Sequence, residues 1–161
     1  MKYKLVGLVM CLGMLVATGC LKKEEDLYAQ NEVRLQADES IIQQFLKDNG
    51  ISATRHESGI YYQIIEPGEG DVVYTANTQI EVKYTGRLLN GKVFDQTKSN
   101  TTFKSPLSKV IYGWRIGLQF VQKGGKIRLF IPSVYAYGNN AVGIIPANAV
   151  LDFDIEVIDI N

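Results

Sequence analysis

The chain has 161 residues, with 17 basic and 17 acidic side chains and an apolar fraction of 46%. A balanced charge argues against a protein that binds nucleic acid through a basic surface. The length and apolar fraction suit one globular domain with a real core and leave little room for a second.

At the N-terminus, Lys2 and Lys4 flank the start of an unbroken run from Leu5 to Ala17, thirteen residues that are apolar or glycine, followed by Thr18, Gly19 and Cys20. A helix crossing a bilayer takes about 20 residues. A basic start, a short apolar run and small residues predict a secretory signal peptide over residues 1–19, a buried N-terminal helix being the alternative. Val16-Ala17-Thr18-Gly19-Cys20 resembles a bacterial lipobox, with Ala17 where leucine is commoner. That resemblance implies that Cys20 becomes the first mature residue and is acylated on its thiol and amine. The protein would then be a membrane-anchored lipoprotein of the cell envelope, on the periplasmic face or the cell surface. Cys11 leaves with the signal peptide, so Cys20 is the one cysteine remaining. A free thiol is odd in a secreted protein, and a lipidated one is not. Each buried methylene of a lipid chain contributes about 0.8 kcal/mol of anchoring.

Residues 20–37 read as a lipidated tether, partly helical at best, opened by Lys22-Lys23-Glu24-Glu25-Asp26. The acidic run is either a solvated linker or, by a loose resemblance, a surface-export signal. Residues 38–59 read as a helical segment and connector. Asp38 or Ser40 caps the helix, Ile41, Ile42, Phe45 and Leu46 share one face, and Asn49-Gly50 stops it. That face packs on the main domain or on a second copy, and the oligomeric state stays open. His56, the single histidine, sits in a polar loop and reads as exposed and idle. No metal constellation exists and no cofactor is called for.

From residue 60 to 161 the apolar period changes from 3.6 to 2. Ile60 to Ile65 is β-rich and ends at Pro67-Gly68-Glu69-Gly70. Ile80, Val82 and Tyr84 alternate with Glu81, Lys83 and Thr85, Ile127, Leu129 and Ile131 with Lys126, Arg128 and Phe130, and Leu151, Phe153, Ile155 and Val157 with Asp152, Asp154, Glu156 and Ile158. These predict half-buried antiparallel strands with one wet face. Trp114 to Val121 is long enough for a short helix. Asn90-Gly91 reads as a tight hairpin and Gly124-Gly125 as a loop before a strand. An antiparallel sheet with one short helix on its apolar face is an α+β fold. Nothing resembles a phosphate loop, a GxSxG elbow or a Cys/His pair, so covalent and hydrolytic chemistry have no visible nucleophile and base.

Four segments carry a family resemblance. Val82-Lys83-Tyr84-Thr85-Gly86-Arg87-Leu88 with Gly91-Lys92-Val93-Phe94-Asp95 is the first. Val110-Ile111-Tyr112-Gly113-Trp114 with Gly117-Leu118 is the second, and Ile131-Pro132-Ser133-Val134-Tyr135-Ala136-Tyr137-Gly138 the third. Ile144-Ile145-Pro146-Ala147-Asn148 with Leu151 to Val157 is the fourth. In this order and spacing, over residues 60–161, they resemble the FKBP-type peptidyl-prolyl cis/trans isomerases. The likeness implies an antiparallel sheet wrapped around one short helix, and activity on X-Pro bonds of proline-containing polypeptide clients without a cofactor. It also implies catalytic roles for Tyr84, Phe94, Asp95, Trp114, Tyr137 and Phe153, and substrate contacts from Phe103, Val110, Ile111, Ile144 and Ile145. Trp114 would form the floor under the proline ring, and Tyr84, Phe94 and Phe153 the walls. The Ile111 N–H and the Tyr137 hydroxyl would hold substrate carbonyls, with Asp95 at the rim.

Outside these motifs Trp114, Tyr84 and Phe153 read as ordinary core aromatics, and Asp95 and Tyr137-Gly138 as turn residues. A buried aspartate among aromatics is costly unless bonded, which favours the site. The Gly138–Gly143 loop and the stretch from Asp95 to Val110 are shorter than is usual in the family. Both lie at the rim, so they bear on substrate preference and on binding of rapamycin-like macrolides more than on catalysis. Two other functions remain open: a non-catalytic binding or chaperone module, and a structural lipoprotein with an envelope protein partner, similar to those of gliding-motility machines.

Overall fold

The computed structural model describes the backbone of residues 17–161 and the side chains from Asp26 onward. Of the expected signal peptide, residues 1–16 lie outside the described residues, as does the side chain of Cys20. The chain forms two units, one closing at Val33 and the other running from Arg34 to Asn161. No described helix is long and apolar enough to cross a membrane.

The first helix, α1, spans Ala17–Asp48, so it starts well before the expected cap. No glycine or proline interrupts residues 20–48, and Leu, Lys, Glu, Gln and Ala favour helix. Neither Asp38 nor Ser40 caps it. The Ser40 hydroxyl donates to the Gln36 carbonyl one turn back (2.9 Å), and the Asp38 carboxylate is buried against another segment. The expected stop is present. Ile51 N–H donates to the Leu46 carbonyl (2.9 Å) and Gly50 N–H to the Lys47 carbonyl (3.2 Å), the two bonds that close a Schellman terminus.

Seven strands follow: β1 (Thr54–Arg55), β2 (Tyr61–Glu66), β3 (Gln79–Leu88), β4 (Val93–Gln96), β5 (Phe103–Pro106), β6 (Lys126–Ile131) and β7 (Leu151–Ile160). They form one antiparallel sheet in the order β1-β2-β6-β7-β3-β4, with β5 also paired to β3. The short helix α2 spans Tyr112–Gly117. The α+β expectation holds: Ile80, Val82, Ile127, Leu129, Ile131, Phe153 and Ile155 form one core with Trp114 and Leu118. Glycines let α2 press on β6. A Cβ at Gly113 would lie 2.4 Å from Ile131 Cγ2, and one at Gly117 2.5 Å from the Leu129 methyls.

The opposite face of the sheet is not simply wet. Ile42 and Leu46 of α1 cover Tyr61, Phe130 and Val150 there, and Phe130 is 0% exposed. The same helix faces β1 and β2 with polar groups: Arg55 donates twice to Glu39 (2.6 and 2.8 Å), and Gln43 donates to the Tyr61 hydroxyl (2.7 Å). Beyond α1, Asp152 is buried and accepts two bonds from Arg128 (2.9 and 2.8 Å). His56 is not free in solvent either. Its Nδ1 lies 2.9 Å from Ser58 Oγ, and its ring meets Phe120 edge-on at 5.5 Å. Phe120 in turn stacks on Tyr62 at 4.3 Å, a pairing the polar flanks of His56 do not announce.

Candidate active site

β3 and β7 pair along their length, with Gly86 opposite Phe153. A Cβ on Gly86 would fall 2.6 Å from Phe153 Cε1 and 2.7 Å from Phe94 Cε2. Only glycine therefore lets both rings lie across β3 at that point. Sequence reasoning quoted Gly86 within a motif and assigned it no role; an isolated glycine inside a strand pattern is the signal that marks it.

Five rings, one each from β3, β4, β5, α2 and β7, meet in this region. Trp114, on the first turn of α2, is 4% exposed. It meets Tyr84 at 5.1 Å, Phe153 at 5.3 Å and Phe103 at 6.2 Å, each close to edge-on. Phe94 meets Phe153 edge-on at 5.5 Å. Near-perpendicular rings at these distances are the favoured aromatic geometry. The Trp114 Nε1–H is buried with no hydrogen-bond partner among the described residues.

The polar groups stand at the edge of this box. The Tyr84 hydroxyl donates to Asp95 Oδ2 (2.5 Å), and Gln96 N–H donates to Oδ1 (2.9 Å). Burial, then the bond to Asp95, pushes the Tyr84 hydroxyl well above its usual pKa. Burial, then the Asp95 charge, raises Tyr137 in the same direction. Both phenols are held neutral, as donors, beside a carboxylate.

Ile111 precedes α2 in an extended conformation, and its carbonyl accepts from Trp114 N–H (3.1 Å). Its own N–H takes no backbone partner among the described residues. Val110, Ile111 and Tyr137 pack on the core that holds Trp114 and Phe153, and Ile145 belongs to it. Ile144 stands apart, 47% exposed and outside that cluster; Phe103 is 36% exposed at the rim. The structure thus brings the five rings together with Asp95 bonded to Tyr84, places Val110, Ile111, Tyr137 and Ile145 in or against the same core, and leaves Ile144 facing out. Chemically, the arrangement presents an apolar aromatic surface with an N–H unpaired among the described residues and phenol O–H groups beside it. It has no nucleophile paired with a base.

Known proteins resemble this chain in sequence and in fold. The model of the family described as FKBP-type peptidyl-prolyl cis-trans isomerase matches residues 70–158. The FKBP-type isomerase FkpA of Buchnera aphidicola from Schizaphis graminum is 43% identical over 121 residues, which is 74% of this chain and 47% of that protein. Escherichia coli FkpA is 39% identical over 123 residues, 74% of this chain and 43% of that one. The chain spans about half the length of these curated relatives. The crystal structure of Escherichia coli FkpA superposes with a TM-score of 0.69 at 30% identity, covering 93% of this chain and 74% of that one. A peptidyl-prolyl isomerase from Pseudomonas syringae pv. tomato superposes at 0.65 with 35% identity, covering 81% of this chain and 95% of that one. With the family model matched over residues 70–158, more than half of the chain, and the same fold in a solved relative, the chain belongs to the FKBP-type peptidyl-prolyl cis-trans isomerase family.

Proposed function

We propose that the chain catalyses cis/trans isomerisation of X-Pro bonds in exported or envelope polypeptides, held at a membrane by lipid on Cys20. The observation that carries the catalytic reading is the box of Tyr84, Phe94, Phe103, Trp114 and Phe153 with Asp95 bonded at its edge. In this reading the proline ring rests on Trp114, between Tyr84, Phe94 and Phe153. The Ile111 N–H and the Tyr137 hydroxyl bond to substrate carbonyls on either side. Val110, Phe103 and Ile145 line the approach, and Ile144 contributes no wall to it.

The chemistry needs no more than this. The X-Pro bond rotates over a barrier of about 20 kcal/mol, so uncatalysed exchange takes tens of seconds or longer. A planar amide owes part of that barrier to resonance, which also gives it a large dipole. The twisted transition state loses both. A dry aromatic pocket therefore favours the twisted amide over the planar one, and differential binding of that kind is catalysis. Removing about 5 kcal/mol speeds rotation several-thousandfold. No proton moves and no bond breaks.

The test is the refolding of a model protein limited by proline isomerisation, with residues 21–161 added. Acceleration that Phe94→Ala, Asp95→Ala and Trp114→Ala each lose is the expected result. No acceleration by folded protein would overturn the catalytic reading and leave the fold intact. The anchor is tested separately. Labelled palmitate should enter the wild-type chain made in bacteria and be absent from Cys20→Ala, which should leave the membrane fraction.

A further inference from the structure

Asp38 lies on α1, four residues into the unit that starts at Arg34, and its side chain is 0% exposed. A carboxylate that deep is stable only when fully bonded. Its Oδ2 accepts from both the N–H (2.8 Å) and the hydroxyl (2.6 Å) of Ser133, itself buried. Its Oδ1 pairs with Arg34, one helical turn back. Arg34 also donates to the Asn148 carbonyl (3.1 Å). Asn148 N–H donates to the Gly138 carbonyl (2.7 Å), and Gly138 N–H to the Ser133 carbonyl (2.8 Å). Asn148, the one described non-glycine residue at positive φ (60°), is held in that conformation at the end of the loop.

These bonds close a ring: Asp38, Ser133, Gly138, Asn148, Arg34 and back to Asp38. The ring grips both ends of the loop from Ser133 to Asn148. Everything the pocket takes from that loop lies between them: Tyr137 sits immediately before Gly138, and Ile145 three residues before Asn148. Helix α1 supplies two members of the ring and none of the pocket's rings.

We infer that Asp38 is a positioning residue for the isomerase pocket, fixing from α1 the loop that carries Tyr137 and Ile145. The inference rests on the pocket assigned above. Held at both ends, the loop keeps the Tyr137 hydroxyl and the Ile145 wall in register with Trp114. Freed at Ser133, it loses that register although no pocket side chain has changed. Misplacement of about 1 Å suffices to lower a rate by one to two orders of magnitude.

The test compares full-length wild type with Asp38→Asn, Ser133→Ala and the double variant, each first shown to be folded by near-UV circular dichroism. Two readouts are taken: kcat and KM on an X-Pro peptide, and hydrogen exchange of the Gly138 and Asn148 amides. The expected result is a drop in kcat of about tenfold with KM little changed, and a double variant no worse than the poorer single one. The Gly138 and Asn148 amides should exchange faster while those of β6 and β7 do not. A folded Asp38→Asn with wild-type kcat and wild-type exchange at both amides overturns the inference. If Asp38→Asn does not fold, Ser133→Ala carries the same comparison, since it keeps the backbone bond to Asp38. If the wild type has no isomerase activity, the catalytic reading falls, and exchange at Gly138 and Asn148 alone decides whether Asp38 holds the loop.

Discussion

Asp95 is exposed at the edge of the aromatic box, where its carboxylate accepts from the Tyr84 hydroxyl and the Gln96 N–H, and is not buried among the rings as its sequence setting suggests. Tyr84→Phe keeps the ring contacts to Trp114, Phe103 and Phe153 and removes only that bond. A hydrogen bond to a charged group is worth about 1.5–3 kcal/mol, so kcat/KM should fall about tenfold or more in folded protein if the pair acts on bound substrate. Unchanged kcat/KM would reduce the pair to a local brace. Tyrosines also set the alkaline limit of the fold. Burial pushes Tyr74, whose hydroxyl donates to the Val121 carbonyl (3.1 Å), up to about 12 from 10.0, and raises Tyr84 and Tyr137 as well. Folding keeps these phenols neutral where the unfolded chain would ionise them. Their stabilising contribution is therefore whole below pH 10 and for Tyr74 is lost between 10 and about 12. The melting temperature should fall steeply above pH 10, less so in Tyr74→Phe, and a flat profile through that window would contradict the linkage.

At the scale of elements, two helices flank one sheet, and they were unequally legible. The existence of α2 was legible in the stretch from Trp114 to Val121, although the helix starts at Tyr112 and closes at Gly117. The full length of α1 was not, because charge in residues 21–37 reads as a tether while the absence of glycine and proline, the better guide, speaks for helix. The face it covers was misread for a related reason. Phe130 falls among Lys126 and Arg128 in the alternation of β6, so the polar neighbours mark its face as wet. Yet Ile42 and Leu46 arrive from 88 and 84 residues away in the sequence and bury it, and no local pattern encodes that. Asp38 was misread likewise: an aspartate before an amphipathic run looks like a cap, and its real partner, Ser133, is 95 residues distant. Phe130→Ala tests how much this second core matters. Emptying a fully buried phenylalanine site costs about 3–5 kcal/mol, so chemical denaturation should show a loss in that range. A loss below about 1 kcal/mol would mean that α1 rests on the sheet without stabilising it.

At the scale of the molecule, the aromatic residues that meet at Trp114 could be named beforehand because they sit in short motifs that resemble the family's. The second layer could not, because it depends on where α1 lands. The two layers predict different outcomes for two truncations. A chain of residues 34–161 keeps Asp38, Ile42 and Leu46, and with them both cores. A chain of residues 50–161 keeps every ring of the box but leaves Phe130, Tyr61 and Val150 uncovered and Ser133 without its carboxylate. Losing the burial of Ile42 and Leu46 alone forfeits about 3–6 kcal/mol, enough to lower the melting temperature by about 10 °C or more. The shorter chain should therefore melt much earlier than the longer one. Well below its own melting point it should also isomerise more slowly, since the loop holding Tyr137 has lost its grip on α1. Equal melting temperatures would show that the sheet and α2 form a self-sufficient domain. Unequal melting with equal activity would separate stability from catalysis and confine the work of α1 to the former.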